Sequence, residues 1–325
     1  MSPEDVSVSP LQAQPLTGTF RHEALFYAGD EQLAAGAAAF IREGLEAGEP
    51  VLVMALEPRI AVLRAELGAD AARVLFANVA EVGSNPARLI PAWRSFVKEH
   101  GVSGRPLRGV GEPIWATRSP EELVECQRHE SLLNIAFADT PSLSLLCLYD
   151  TGSLDPSIIA EAMRSHPMIV ERGMRRDSRA YTGIEEAAAP SKRHLSEPPA
   201  HAHELSFKRD TLDELRRFVG QRAAEAGMSV ERRSDLVLAV NELANNSITH
   251  GGGGGIVHIW EEGEIVVAEV WDHGHIHDPL AGSQQPAPDQ DLGRGLWLVN
   301  QLCDLIQMRS FESGSVVRIH MRRTG

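Results

Sequence analysis

Glu242, Asn245 and Asn246 stand together in the segment ERRSDLVLAVNELANNSITHG. On an ideal helix each residue turns about 100°, so with Glu242 at the origin Asn246 falls near about 40°, Asn245 near about −60° and Thr249 near about −20°. Leu236, Val240, Leu243 and Ser247 fall at roughly 100° to 160° on the same wheel. One face is therefore apolar and suited to a core. The opposite face gathers one carboxylate and two carboxamides. A carboxylate can take a proton or align an attacking group, and a carboxamide oxygen is a hard ligand suited to Mg²⁺. The same pattern also fits an ordinary solvated helix face.

Further along, IVHIW–EEG–EIVVAEVWD reads as a hairpin that ends on Asp272, followed by His273 and Gly274. Next comes DPLAGSQQPAPDQDLGRG, long and rich in Pro and Gly, the composition of a lid or an unstructured segment. It closes with Gly293-Arg294-Gly295 directly before the helical pattern LWLVNQLC. Glycines entering a helix N-terminus suit phosphate, because the free N–H groups there point at an anion. A last strand over 315–321 alternates Val317, Ile319 and Met321 with Arg318 and His320. His273, His275 and His277 alternate at the lid edge, but no Cys or carboxylate cluster beside them argues for zinc.

These residues need elements to hold them, and the chain is long enough for two cores. It has 325 residues, 43% hydrophobic and 23% charged, which predicts two globular domains. Net charge is −14, which disfavours nucleic acid and anionic membrane as partners. No apolar run is long enough to span a bilayer. The first residues, MSPEDVSVSPLQAQPL, carry acids where a secretion signal would be basic and then apolar, so a cytoplasmic protein is expected. Cys126, Cys147 and Cys303 are scattered, and their spacing suggests neither a disulfide framework nor a zinc site; they are expected as small core residues.

Residues 1–19 read as a disordered tail. Over 20–178 short apolar runs (24–27, 50–56, 74–77, 107–110 and 143–149) alternate with helical patterns at 30–45, 58–67, 86–100, 120–138 and 156–165. Asp30 reads as an N-cap, and the other helices carry Pro in or near the first turn. This alternation predicts an α/β domain with a mostly parallel, RecA- or Rossmann-like sheet and helices on both faces. Residues 179–204 are poor in large apolar side chains and read as a linker. The second domain spans 205–325, with helices expected at 211–226, 229–250 and 295–303.

ELANN, VWDHG and GRGL follow one another in the order and at the separations of the boxes that define the GHKL ATP-binding fold. The chain over about 205–323 resembles that family, an α/β two-layer sandwich. Within it, ELANNSITHG, DHGHIHDP and GRGLWLVNQLCD resemble the short RsbW-type anti-sigma-factor serine/threonine kinases. The resemblance implies ATP and Mg²⁺ as ligands. It makes Glu242 the general base, Asn246 the Mg²⁺ ligand and Asp272 the acceptor for the adenine amino group. Gly274 would allow close approach of the base, Gly293 and Gly295 would open backbone N–H groups to phosphate, and Arg294 would add charge. Ser315 stands where the family has a hydroxyl near adenine, and Asn245, His250 and Leu296 would line the site. One departure is His275-Ile276, where the family often has a second glycine. The short lid also fits the anti-sigma class better than a sensor kinase.

HEALFYAGDEQL, FIREGLEAGEPVLVM, GEPIW and CQRHESLLNIAF resemble the MEDS sensory domain over about 20–172. No GxxxxGK[ST] motif occurs, so a P-loop is excluded there. Glu112 and Trp115 follow a strand end, where parallel sheets bind ligands. His22, Arg128, His129 and Glu130 are expected to converge on them as a candidate pocket for a small-molecule effector. The alternative is that Trp115 is core and Glu130 belongs to a local network. The expected whole is a signal-responsive regulator that phosphorylates Ser or Thr of a STAS-type anti-sigma-factor antagonist, sequesters a sigma factor, and forms the homodimer of that family. Two alternatives stand beside it: a non-catalytic ATP-binding interaction module, and an atypical sensor histidine kinase. The Pro-rich linker cannot form the helical hairpin that a histidine kinase uses to present its phospho-acceptor.

Overall fold

The computed structural model describes residues 20–101, 104–140, 143–188, 194–286 and 293–324. The expected tail at 1–19, part of the linker at 189–193 and part of the lid at 287–292 lie outside the described residues. Along the chain run β1 (Arg21–Tyr27), α1 (Gly29–Glu46), β2 (Val51–Ala55), α2 (Glu57–Leu67), β3 (Leu75–Asn78), α3 (Val79–Val82), α4 (Leu89–His100), β4 (Leu107–Gly111) and α5 (Pro120–Ala136). Then follow β5 (Leu143–Asp150), α6 (Pro156–Ser165), β6 (Met168–Glu171), β7 (Met174–Asp177), α7 (Gly183–Ala188), β8 (His203–Lys208), α8 (Leu212–Glu225) and α9 (Val230–His250). The chain closes with β9 (Gly254–Glu262), β10 (Ile265–Asp272), α10 (Arg294–Leu302), β11 (Leu305–Phe311) and β12 (Gly314–Arg322). Two compact units result. Among the described residues, the first holds those up to Asn78, Phe96–Thr117 and Phe137–Gly183; the second holds Val79–Ser95, Arg118–Ala136 and those from Ile184 onward.

The first unit carries a seven-stranded sheet in the order β3-β2-β4-β5-β1-β6-β7, parallel except for the β6–β7 hairpin. Its central strands are mostly apolar, because both faces are covered, though His22, Glu23, Arg108 and Ser144 are buried in them as well. All of β5 except Asp150 is buried. On one face Leu33, Ala37, Phe40 and Ile41 of α1 and Ile60 and Leu63 of α2 pack on Leu25, Val53, Leu146 and Leu148. Asp30 does not cap α1. The N-cap is Ala28, whose N–H donates to Gln32 Oε1 at 3.0 Å. Gly29, at φ 76°, starts the helix one residue early and leaves Asp30 in the first turn beside Arg59. Asp155 does cap α6, accepting from Ser157 N–H at 2.8 Å.

The second unit carries an antiparallel five-stranded sheet in the order β11-β12-β10-β9-β8. One face packs on α8, α9 and α10. Val257, Ile259, Ala268, Val270, Val317 and Ile319 meet Leu215, Val219, Leu236, Val240 and Leu243 there. Strand alternation sends Glu269, Gln307, Arg318 and His320 to the other face, where they are buried as well. Arg318 donates to Glu269 Oε2 and also to Ser196 Oγ at 3.1 Å. β8 alternates so weakly that only Phe207 is buried, and its pattern gives little sign of a strand. The expected α/β class holds for both units. Among the described residues no helix is long and apolar enough to cross a membrane.

Candidate functional site

α9 begins on a Ser229 cap, with Arg232 N–H donating to Ser229 Oγ at 3.3 Å. Its buried stripe is Leu236, Ala239, Val240, Leu243, Ala244 and Ser247, the face expected from helical spacing. The other face holds Glu242 and Asn246, both half-buried. They stand against the first turn of α10. A Cβ added to Gly295 would lie 3.1 Å from Glu242 Oε2 and 3.4 Å from Asn246 Nδ2. Gly293, the α10 N-cap, is left-handed at φ 87°, a conformation that suits glycine.

β10 delivers Asp272 to the opposite wall. Ser247 Oγ donates to its Oδ2 at 2.6 Å, while Gly274 N–H at 2.8 Å and Ser315 Oγ at 2.9 Å donate to its Oδ1. The carboxylate is thereby locked in orientation, with acceptor capacity to spare, since two oxygens offer about four lone pairs. Glycines clear the space around it. A Cβ on Gly251 would fall 2.4 Å from Asp272 Cγ, and one on Gly274 would fall 2.6 Å from His250 O.

Between these walls lies a cavity of about 580 Å³. Asn246, His250, Asp272, Gly274, Gly293, Gly295, Leu296 and Ser315 line it. Glu242 and Asn245 are not among its lining residues; Asn245 is half-buried, and its carbonyl accepts from Thr249 Oγ1 at 2.8 Å. Arg294 is exposed on the first turn of α10 and is not part of the lining. The apolar wall is Leu243, Val270, Ile276, Leu280 and Val317, with His275 and His277 at its edge.

Sequence reasoning missed Ser247, whose hydroxyl leaves the apolar stripe to hold Asp272. It also missed Arg94, which lines the same cavity. Arg94 Nη1 donates to Ser283 Oγ at 3.1 Å and to Ser283 O at 3.2 Å. Burial holds its guanidinium below the usual arginine range, with Asp278 opposing. Nothing near Arg94 in the sequence signals this role. Nearby, Asn85 and Arg88 finish α10. Asn85 Nδ2 donates to Asn300 O at 3.1 Å, and Arg88 donates to Asn300 O, Gln301 O and Cys303 O at 2.9, 2.7 and 2.9 Å.

One wall holds an oriented carboxylate between small residues, and the facing wall holds a carboxamide beside a glycine-led helix. Residues 205–321 match the family model of the histidine kinase-like ATPase domain. This ATPase-type domain supports an ATP-binding, kinase-like regulator, and the cavity lies mostly within it. Residues 21–167 match the model of MEDS, the methanogen/methylotroph DcmR sensory domain. Arg94 therefore comes to the cavity from the stretch that matches MEDS. No curated protein matches the chain. Among solved structures, the RsbU and RsbW domains of Rv1364c from Mycobacterium tuberculosis align at 19% identity and a TM-score of 0.29 over 37% of this chain and 32% of that one. The Acinetobacter baumannii histidine kinase AdeS aligns at 15% identity and a TM-score of 0.23 over 37% of this chain and 68% of that one. The chain thus spans about a third of the length of the mycobacterial structure.

Of the residues expected to form an effector pocket, His22 and Glu112 do not face each other. His22 and Glu112 fall on opposite faces of the first unit's sheet, because Cys147 pairs with Ala24 and Gly111 and so shares the face of His22. Glu112, one residue beyond Gly111, points the other way, accepting from Leu56 N–H at 2.9 Å and lying 3.7 Å from Arg59 Nε. Burial pushes its carboxyl up to about 7, with the Leu56 N–H and Arg59 opposing. Trp115 is half-buried in the segment after β4. Arg128 and Glu130 belong to α5 in the second unit. There Arg128 donates to Met308 O at 3.2 Å, and Glu130 is buried, its Oε1 3.6 Å from His129 Nε2.

Proposed function

We propose that the ATPase-type domain binds ATP with Mg²⁺ and phosphorylates a Ser or Thr of a protein partner of the anti-sigma-antagonist class. The observation that carries this is the Asp272 carboxylate, pinned by three donors on the wall of the cavity. A carboxylate accepts only, so it favours adenine, whose exocyclic amine donates, over guanine, which presents an acceptor oxygen there. The space cleared by Gly251 and Gly274 suits the flat base. The apolar wall covers its faces.

At the other end, Gly293 and Gly295 open the α10 N-terminus to the phosphates. The Asn246 carboxamide would hold Mg²⁺, which supplies charge neutralisation on the phosphates when bound. Glu242, packed beside Gly295 and Asn246, would take the proton of the attacking hydroxyl as its oxygen bonds to the γ-phosphorus and the bond to ADP breaks. Positioning and charge account for most of such a transfer. The stretch that matches MEDS would bias this activity through Arg94 and the α10 terminus.

The deciding experiment is calorimetry of ATP with and without Mg²⁺ on the full chain, wild type beside Asp272→Ala and Asn246→Ala. Binding that both variants abolish or greatly weaken supports the nucleotide site. Acid-stable phosphate on an antagonist protein, lost in Glu242→Gln, supports the transfer. No binding by folded wild type overturns the reading. Partner binding and regulation left intact by Glu242→Gln would favour a non-catalytic module, and acid-labile phosphate on His would favour a histidine kinase.

A further inference from the structure

Away from the nucleotide site, three adjacent strands of the first unit bring two imidazoles and a thiol together. His22 is on β1, Cys147 on its neighbour β5, and His166 two residues before its other neighbour β6. All three are buried, at 1%, 1% and 0% exposure. One ligand atom from each lies within 4.8 Å of the others. Cys147 Sγ stands 3.4 Å from His22 Nε2, and the rings of His22 and His166 lie 4.0 Å apart, centroid to centroid.

We propose that His22, Cys147 and His166 bind a divalent metal ion of the zinc class. Three physical arguments carry this. First, donor softness: one thiolate with two imidazoles is a set that zinc and its neighbours take in preference to Mg²⁺ or Ca²⁺. Second, spacing: with metal–sulfur and metal–nitrogen bonds of about 2.3 and 2.0 Å in a tetrahedron, sulfur and nitrogen ligands stand about 3.5 Å apart, close to the separation between Cys147 and His22. Third, the tautomer of His166. Its Nδ1 lies 2.8 Å from Ala162 O. A carbonyl only accepts, so Nδ1 carries the proton and Nε2 carries the lone pair. A backbone carbonyl behind a histidine is the usual outer-shell partner of a metal ligand. Ser165 Oγ, 3.0 Å from the same Nδ1, adds to that support.

Binding replaces the Cys147 S–H bond with a sulfur–metal bond and releases one proton to solvent. The first unit supplies three ligands, and a further oxygen donor would complete the tetrahedron. The spacing of the cysteines along the chain could not reveal this, because the ligands are separated by the whole of the sheet.

The test is a Co²⁺ titration of the full chain after chelator treatment, with excess Mg²⁺ present and ATP absent. Expected are one Co²⁺ per chain, a sulfur-to-cobalt charge-transfer band in the near ultraviolet, intense tetrahedral d–d bands, and displacement of both by Zn²⁺. Cys147→Ser should lose the charge-transfer band, and His166→Gln should weaken binding about 10- to 100-fold, in the range of lost metal-site groups. Should Cys147→Ser fail to fold, judged by lost Mg·ATP binding or near-ultraviolet dichroism, His22→Gln and the wild-type spectrum decide. Folded wild type that binds no Co²⁺ or Zn²⁺ at stoichiometry overturns the proposal. So does a thiolate band that survives in folded Cys147→Ser, since the sulfur would then be Cys126 or Cys303.

Discussion

Asp272 accepts three hydrogen bonds from groups that come from three separate places: Ser247 on α9, Gly274 after β10 and Ser315 on β12. Such a carboxylate cannot swing away from a ligand. Asp272→Asn keeps the shape but exchanges an acceptor oxygen for a donor. ATP affinity measured by calorimetry should fall by about 1.5–3 kcal/mol, the scale of a hydrogen bond to a charged group; an unchanged Kd would remove Asp272 from the nucleotide site. Glu112 makes a second prediction at this scale. Its carboxyl is raised from an ordinary 4.5 to about 7 by burial, so the folded state holds the proton more tightly than the unfolded chain. The stability this brings is complete below about pH 4 and is lost as pH rises through about 7, a change of about 3 kcal/mol. Urea unfolding across that window should decline with pH in the wild type. Glu112→Gln, always neutral, should flatten the decline.

At the scale of elements, the site depends on how closely α9, β10 and α10 approach. Gly251 closes α9 at an ordinary negative φ of −103°, so backbone conformation does not demand glycine there. Space does, with a Cβ 2.4 Å from Asp272 Cγ. Gly251→Ala should therefore cost ATP affinity at least about tenfold while costing about 1–3 kcal/mol of stability, the range for overpacking. Affinity at the wild-type level would mean that Asp272 moves without consequence. α10 is finished from outside the ATPase-type domain. Arg88 donates to three carbonyls at its C-terminus, where a cation also meets the negative end of the helix dipole. Arg88→Ala should lower the stability of the second unit by about 1–3 kcal/mol, and amide exchange over 294–302 should accelerate.

At the scale of the whole molecule, the unit that contains the candidate site is assembled from stretches far apart in the chain. β11 is an edge strand, and α5 lies against it. Arg309 Nη2 donates to Glu125 Oε1 at 2.7 Å, with side-chain exposures of 1% and 8%. A buried pair of this kind is costly to break and cheap to replace. Glu125→Leu alone should destabilise by about 3 kcal/mol, whereas Glu125→Leu with Arg309→Met should recover most of that loss. A double-mutant cycle in urea reads the difference. Equal losses in the single and double variants would show that packing of α5, not the ion pair, secures the edge.

The candidate site was largely legible in the sequence because most of the residues that line its cavity lie in four short runs. Helical spacing alone put Glu242 and Asn246 on one face of α9, and a glycine before a helix marked the end proposed to hold the phosphates. The parallel sheet was legible too, since strands buried on both faces are mostly apolar. Tertiary structure decided what depends on residues distant in the chain. Arg94 at the cavity, Arg88 and Asn85 at the α10 terminus, and the buried Arg309–Glu125 pair have no local pattern, because each is a single polar group whose partner is set by packing. The His22, Cys147 and His166 cluster is the clearest case. Period-two alternation predicts which face each strand residue takes, but only strand order and register decide which residues on that face become neighbours.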